Sequence, residues 1–174
     1  MRILGIDPGT IRMGFGAIDT DSGDASFVDC GVLQAVQRDP IEKRLVQIFD
    51  QLVALIERVS PDVVAIEEPF VVQGPRKSAL AVGEARAIAL LAATKRDLPI
   101  FQYTPTKVRQ TVAGYGGGGK EQTQQMVSLL LDRPLDAFPL DASDALAVAI
   151  CHSRHPDLLG FIEETATTKA GRSR

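Results

Sequence analysis

Four carboxylates stand where apolar runs stop or start: Asp7 after RILGI, Glu67 after DVVAI, and Asp141 with Asp144 directly before ALAVAI. Asp7 opens Asp-Pro-Gly, a strong turn signal that closes a strand-like run. An Asp there is also an ordinary first residue of a turn. Glu67 ends a second strand-like run. In open α/β sheets ligands gather beyond the carboxyl ends of strands, so neighbouring strands would bring Asp7 and Glu67 to one edge. Strand side chains alternate faces, which makes Glu67 the candidate and Glu68 the bystander. Asp141 and Asp144, three apart in a helical pattern, share a face with Cβ atoms roughly 5–6 Å apart. The competing reading has Asp141 as a helix N-cap and Asp144 favouring the helix dipole, unless Ser143 supplies the capping oxygen. Four carboxylates without a counter-charge repel and raise one another's pKa. Two divalent ions would offset them, and oxygen-only ligands select Mg²⁺ or Mn²⁺ over Zn²⁺.

The elements that must position these acids follow from periodicity. Residues 2–7, 13–19 and 26–34 read as strands joined by short turns, which suggests an antiparallel meander. Leu45, Ile48, Phe49, Leu52, Leu55 and Ile56 recur at helical spacing between residues 40 and 59, and Ser60-Pro61 ends that helix. The spacing then predicts a buried strand over 62–67, an Ala-rich helix over 78–94 and a strand over 100–103. Helices are expected over 107–112, 120–131 and 142–152, with GYGGGG at 114–119 as a loop. This order gives an α/β fold with a mixed sheet, antiparallel at its start and reached later by crossover connections.

A chain of 174 residues fits one domain with a full hydrophobic core. No apolar stretch is long enough to span a bilayer, and the opening MRILGIDPGT shows no export signal, so a cytoplasmic location is expected. Cys30 and Cys151 lack metal-ligand spacing and read as free thiols. His152 and His155 are spaced i, i+3, but no Cys or third His completes a transition-metal site. The net charge of −3 hides an uneven distribution. Residues 1–70 carry 6 Lys+Arg against 12 Asp+Glu, residues 71–133 carry 9 against 4, and residues 134–174 carry 4 against 6. A basic middle between acidic ends suits a protein that holds a polyanion over metal-binding carboxylates. Arg76, Lys77, Arg86, Arg109 and Lys120 supply that positive charge.

Asp7 in GIDPGT, Glu67 in AIEEPF and Asp141/Asp144 in DASDALAVAI resemble, in order and spacing, the motifs of RuvC Holliday junction resolvases. GEAR at 83–86, VRQTVAGYG at 108–116 and Lys120 extend the resemblance over nearly the whole chain to about His155. GIDxGT alone also opens actin-like ATPases, so the specificity lies in the set. The resemblance implies a ribonuclease H-like fold over residues 1–155, followed by a flexible C-terminal tail over 156–174. It implies Asp7, Glu67, Asp141 and Asp144 as catalytic residues that hold two Mg²⁺ or Mn²⁺ ions. Such a pair clamps the attacking and leaving oxygens of an in-line displacement. The implied reaction is resolution of a four-way DNA junction by paired symmetric nicks, leaving 5′-phosphate and 3′-hydroxyl ends, in recombination and repair.

Further contacts are implied by the same likeness. Phe70 resembles the family's wedge residue, which would stack on bases at the junction centre at about 1–3 kcal/mol per base. A core Phe beneath the loop is the alternative, and Pro69 and Pro75 stiffen that loop. Arg109 and Lys120 match basic positions near the scissile phosphate, with Arg76 and Lys77 as further DNA contacts. Arg109 replaces a Lys of some relatives, and its fork grips phosphate differently from a point charge. The helix over 78–94 corresponds to the family's homodimer interface, although from its residues alone it reads equally as a core helix. A RuvAB branch-migration complex is the implied partner. Three rivals remain: an actin-like ATPase, which needs two copies of the fold; a ribonuclease H-like RNA-processing nuclease; and a non-catalytic junction-binding module. The presence of all four acids gives no support to the last.

Overall fold

The computed structural model describes residues 1–21, 24–68, 76–114, 119–134 and 137–154, with the side chains of 76–79 outside that description. Five strands form one mixed sheet. β1 (Arg2–Asp7), β2 (Arg12–Asp21) and β3 (Asp24–Gln34) make the antiparallel meander, while β4 (Val63–Glu67) and β5 (Ile100–Tyr103) run parallel to β1. The spatial order is β3-β2-β1-β4-β5. The expected mixed sheet with antiparallel first strands is therefore the observed one.

Helices cover both faces, and strand alternation sorts the core accordingly. Leu4, Ile6, Val64 and Ile66 pack with α1 (Ile41–Val59) and α2 (Arg76–Thr94). Ile3, Val63 and Ala65 face the other way, into a second core built with α3 (Pro105–Ala113), α4 (Lys120–Leu130) and α5 (Leu140–Ser153). α1 is amphipathic and buries Ile48, Leu52, Leu55, Ile56 and Val59 along one stripe. It ends at Ser60, whose left-handed φ of 50° lets its N–H reach the Ile56 carbonyl ahead of Pro61. α3 begins with Thr104 capping the Lys107 N–H and Pro105 in the first turn. Every residue from Ala145 to Ser153 in α5 is buried, as expected of a helix apolar all round at the centre of a domain.

The structure extends α2 at its start and α3 at both ends relative to the periodicity, and it moves the start of α5 to Leu140. α5 follows Pro139, and no side chain makes a capping bond there. Asp141 is thus inside the first turn, not the N-cap, and Ser143 is buried instead of capping. Among the described residues, no helix is long and apolar enough to cross a membrane.

Candidate active site

β1 and β4 lie side by side, and the parallel register pairs Ile6 with Ile66. One residue further on, Asp7 and Glu67 leave the ends of both strands on the same face as Gly5 and Ala65, toward α5. The strand-end reading of both acids holds for this reason. Glu68 lies past the strand end and is exposed, consistent with its reading as bystander.

The second pair of acids arrives on α5, which crosses β1 and β2 at very close range. A Cβ built on Gly5 would stand 2.1 Å from the Ala145 carbonyl oxygen, and one on Gly14 would stand 2.0 Å from that of Asp141. Only glycine leaves room for helix backbone to lie on the strands this way. Gly14 is also the register partner of Asp7, so the contact that seats Asp141 lies on the same rung as the strand acid. Asp7, Glu67 and Asp144 consequently line one cleft open to solvent, with Arg109 and Lys120. Pro105, Val108, Thr123 and Ala147 complete its wall. Asp141 sits one helical turn from Asp144, outside that lining.

Two cations hold the helix acids. Lys120 Nζ donates to Asp144 Oδ2 at 2.8 Å, and Arg12 Nε donates to Asp141 Oδ2 at 2.7 Å. The placement of Lys120 at the first position of α4, beside the acids, agrees with its sequence reading. Arg109, on α3, lies close enough to Glu67 to favour its charged form. Arg12 escaped the sequence reading, because 129 residues separate it from Asp141 and no periodicity marks it.

The charges bear on one another. Burial raises the Asp7 carboxyl first, then Glu67, Asp144 and Asp141 add repulsion that Lys120 only partly offsets, so its pKa is pushed up to about 7. Glu67 is raised by burial and then by Asp144, against the pull of Lys120 and Arg109. Lys120 is held above the usual lysine range by its bond to Asp144 and by the charges of Asp7 and Glu67. The site therefore carries more negative charge than its own cations neutralise. An all-oxygen donor set with excess negative charge fits Mg²⁺ or Mn²⁺. Among the described residues, however, no three His, Cys, Asp or Glu side chains stand together as a ready coordination shell. Arg12 and Lys120 engage two of the four acids, and each surface ion pair is worth only about 0.2–1 kcal/mol. Releasing them is a small cost beside the charge a divalent ion would compensate, so the residues fit the group once those pairs open.

Other expected residues lie elsewhere. Phe70 and His155 fall outside the described residues, as do the side chains of Arg76 and Lys77 and the tail expected over 156–174. Arg86 is a correction: it donates to Gln102, which shares a rung with Ile66 and faces the α1/α2 side, opposite the acids. Strand alternation, invisible from α2 alone, decides this. His152 is buried and its Nδ1 meets the Tyr103 hydroxyl at 2.7 Å, a contact within the core. On α2 the alanines 85, 89, 92 and 93 are buried against the domain's own core, while Leu80 and Leu91 are exposed.

Comparison with known proteins converges on one family. The family profile described as "Crossover junction endodeoxyribonuclease RuvC" matches residues 3–152. The chain is 48% identical over 153 residues to a crossover junction endodeoxyribonuclease RuvC of Chloroflexus aggregans, covering 88% of this chain and 93% of that protein. A RuvC of Dehalococcoides mccartyi is 49% identical over 152 residues, covering 87% and 90%. Among solved structures, T. thermophilus RuvC in complex with Holliday junction substrate superposes with a TM-score of 0.81 at 30% identity, covering 88% of this chain and 93% of that one. The yeast mitochondrial Holliday junction resolvase shares the fold, with a TM-score of 0.62 at 17% identity.

Proposed function

This chain belongs to the RuvC family of crossover junction endodeoxyribonucleases, and from that premise we propose that it resolves four-way DNA junctions by paired symmetric phosphodiester hydrolysis. The observation that carries the reading is the cleft itself. Asp7, Glu67 and Asp144 face it beside two basic side chains, and burial together with their mutual repulsion raises the Asp7 pKa to about 7. Such charge is compensated when Asp7, Glu67, Asp141 and Asp144 hold two Mg²⁺ or Mn²⁺ ions, which supply the Lewis acidity for in-line attack by water and departure of the 3′-oxygen. The chain's own residues do the rest. Arg109 and Lys120 reach toward phosphate oxygens at the cleft mouth and steady the charge that develops there. Arg76, Lys77 and Phe70 extend the DNA contact beyond the cleft, with Phe70 stacking at the junction centre. The products carry 5′-phosphate and 3′-hydroxyl ends.

A two-fold dimer places one cleft on each of two symmetric strands. Leu80 and Leu91 support it: eleven residues apart on α2, they lie on one face and are 66% and 59% exposed. The nuclease domain spans residues 1–155, with 156–174 as a C-terminal tail. A branch-migration motor of the RuvAB kind is the proposed partner.

A synthetic mobile four-way junction and a linear duplex of the same sequences test the reading with Mg²⁺, Mn²⁺ or EDTA, beside Asp7→Asn. Paired nicks in the junction alone, lost in EDTA and in the variant, are expected. Binding without cleavage under every ion would instead indicate a non-catalytic module. Cleavage of duplex or RNA as well would remove junction selectivity and favour an RNA-processing nuclease.

A further inference from the structure

Arg12 opens β2, and its guanidinium occupies Asp141 Oδ2. The geometry is set by packed backbone on both sides. Two residues along β2, Gly14 lies against the Asp141 carbonyl, while the Ala35 N–H bonds to the Ile11 carbonyl and fixes the start of the strand. The Arg12 and Asp141 side chains are 50% and 33% exposed, so the guanidinium can swing into solvent without disturbing either element. Arg12 is not part of the cleft lining, whereas Lys120 and Arg109 are. Among the described residues its guanidinium donates to a carboxylate that the proposed function assigns to ion binding.

A guanidinium N–H on Oδ2 occupies one lone-pair site of the carboxylate and sets a positive charge beside it, so it opposes a divalent ion that takes the same carboxylate at about 2.0–2.1 Å. We propose that Arg12 is a built-in competitor for the divalent-ion site: it holds Asp141 Oδ2 while the ion is absent, and its charge opposes the ion's binding there. Arg12 thereby sets the ion concentration at which the site fills. The inference rests on the reading of the four acids as an ion site. The brake is mild by construction, because an exposed ion pair is weak. It also sets a positive charge against the Asp141 carboxylate, which repels Asp7 in the ion-free protein, as Lys120 does for Asp144.

The test uses the full chain without DNA and reads Mn²⁺ binding by the EPR signal of the free ion, with Mg²⁺ competition. Arg12→Gln is expected to lower the half-saturating Mn²⁺ concentration by about 1.5- to 5-fold. Arg12→Lys, which keeps the charge, stays close to the parent. In an Asp141→Asn background Arg12→Gln has no further effect, which a general change in surface charge or folding would not reproduce. Melting curves in EDTA report folding, and Arg12→Met provides the same loss of charge with a longer apolar stem. Unchanged or weaker Mn²⁺ binding in both neutral variants overturns the proposal, since Arg12 would then be a bystander or would orient Asp141 for the ion. If the unsubstituted chain binds no Mn²⁺, or if Asp7→Asn leaves binding intact, the ion-site reading itself fails and this proposal with it.

Discussion

Asp7 concentrates the conflict between stability and chemistry. Its carboxyl is raised from 3.8 to about 7, first by burial and then by Glu67, Asp144 and Asp141. Between those values the folded, ion-free protein keeps a proton that the unfolded chain releases. Stability therefore falls as pH rises from about 4 and stops falling above about 7. Asp7→Asn removes that slope. In EDTA at pH 8 it should melt higher than the parent, by on the order of 2 kcal/mol or about 5 °C, with the gap closing toward pH 4. A Tm-against-pH series checks this, and a variant that melts lower at pH 8 would refute the electrostatic account. The same substitution should abolish nicking. Lys120 belongs to this scale too: with Nζ at the cleft mouth, Lys120→Ala should weaken junction binding for all sequences alike and reduce the slope of log affinity against log salt by about one. A salt titration of junction binding at two ionic strengths or more would show it.

The contact between α5 and the β1–β2 ladder assembles the acids. Asp7 and Glu67 need only the parallel pairing of β1 with β4, but Asp141 and Asp144 reach them because Gly5 and Gly14 let helix backbone lie on the strands. A methyl group at Gly14 would overlap the Asp141 carbonyl oxygen, and backbone cannot yield as a flexible side chain can. Gly14→Ala should cost about 1–3 kcal/mol of stability by overpacking. Its effect on nicking should be larger, about 100-fold, because a shift of about 1 Å between reacting groups costs that much. Thermal melts and single-turnover nicking on one preparation separate the two effects. Equal loss in both would mean that α5 tolerates the shift and the acids do not depend on it.

For the whole molecule, the sheet's two faces have separate duties. The α1/α2 face carries Arg86 and the exposed Leu80 and Leu91, while the α3/α4/α5 face carries the acids and the cations beside them. The proposed protein contact and the proposed DNA chemistry thus lie on opposite faces of one sheet. Leu91→Glu should shift the protein from dimer to monomer in sedimentation velocity while leaving its fold intact, because that side chain is 59% exposed. The monomer should bind junctions less tightly and lose the pairing of its nicks, since the second cleft is no longer held in place. A chain that sediments as a monomer before substitution would exclude this arrangement.

Sequence periodicity alone determined much of the molecule. Asp-Pro-Gly after RILGI ended β1 at Asp7, the apolar run before Glu67 required a buried strand, and Ser60-Pro61 stopped α1. These signals are local: each depends on side chains within a few residues, and the mixed fold follows from their order. The places of Asp7 and Glu67 were legible for the same reason, because each ends a strand. Tertiary structure decided what depends on which elements touch. It placed Asp141 within α5 instead of at its cap, turned Arg86 away from the acids, and set Arg12 against Asp141 across 129 residues. Chain neighbours carry no record of such contacts, since they depend on the register of β2 with β1 and on the closeness that Gly14 permits α5. The charge balance at Asp7 belongs to the same category: a carboxyl moves toward neutral pH only when burial and three distant acids act on it together.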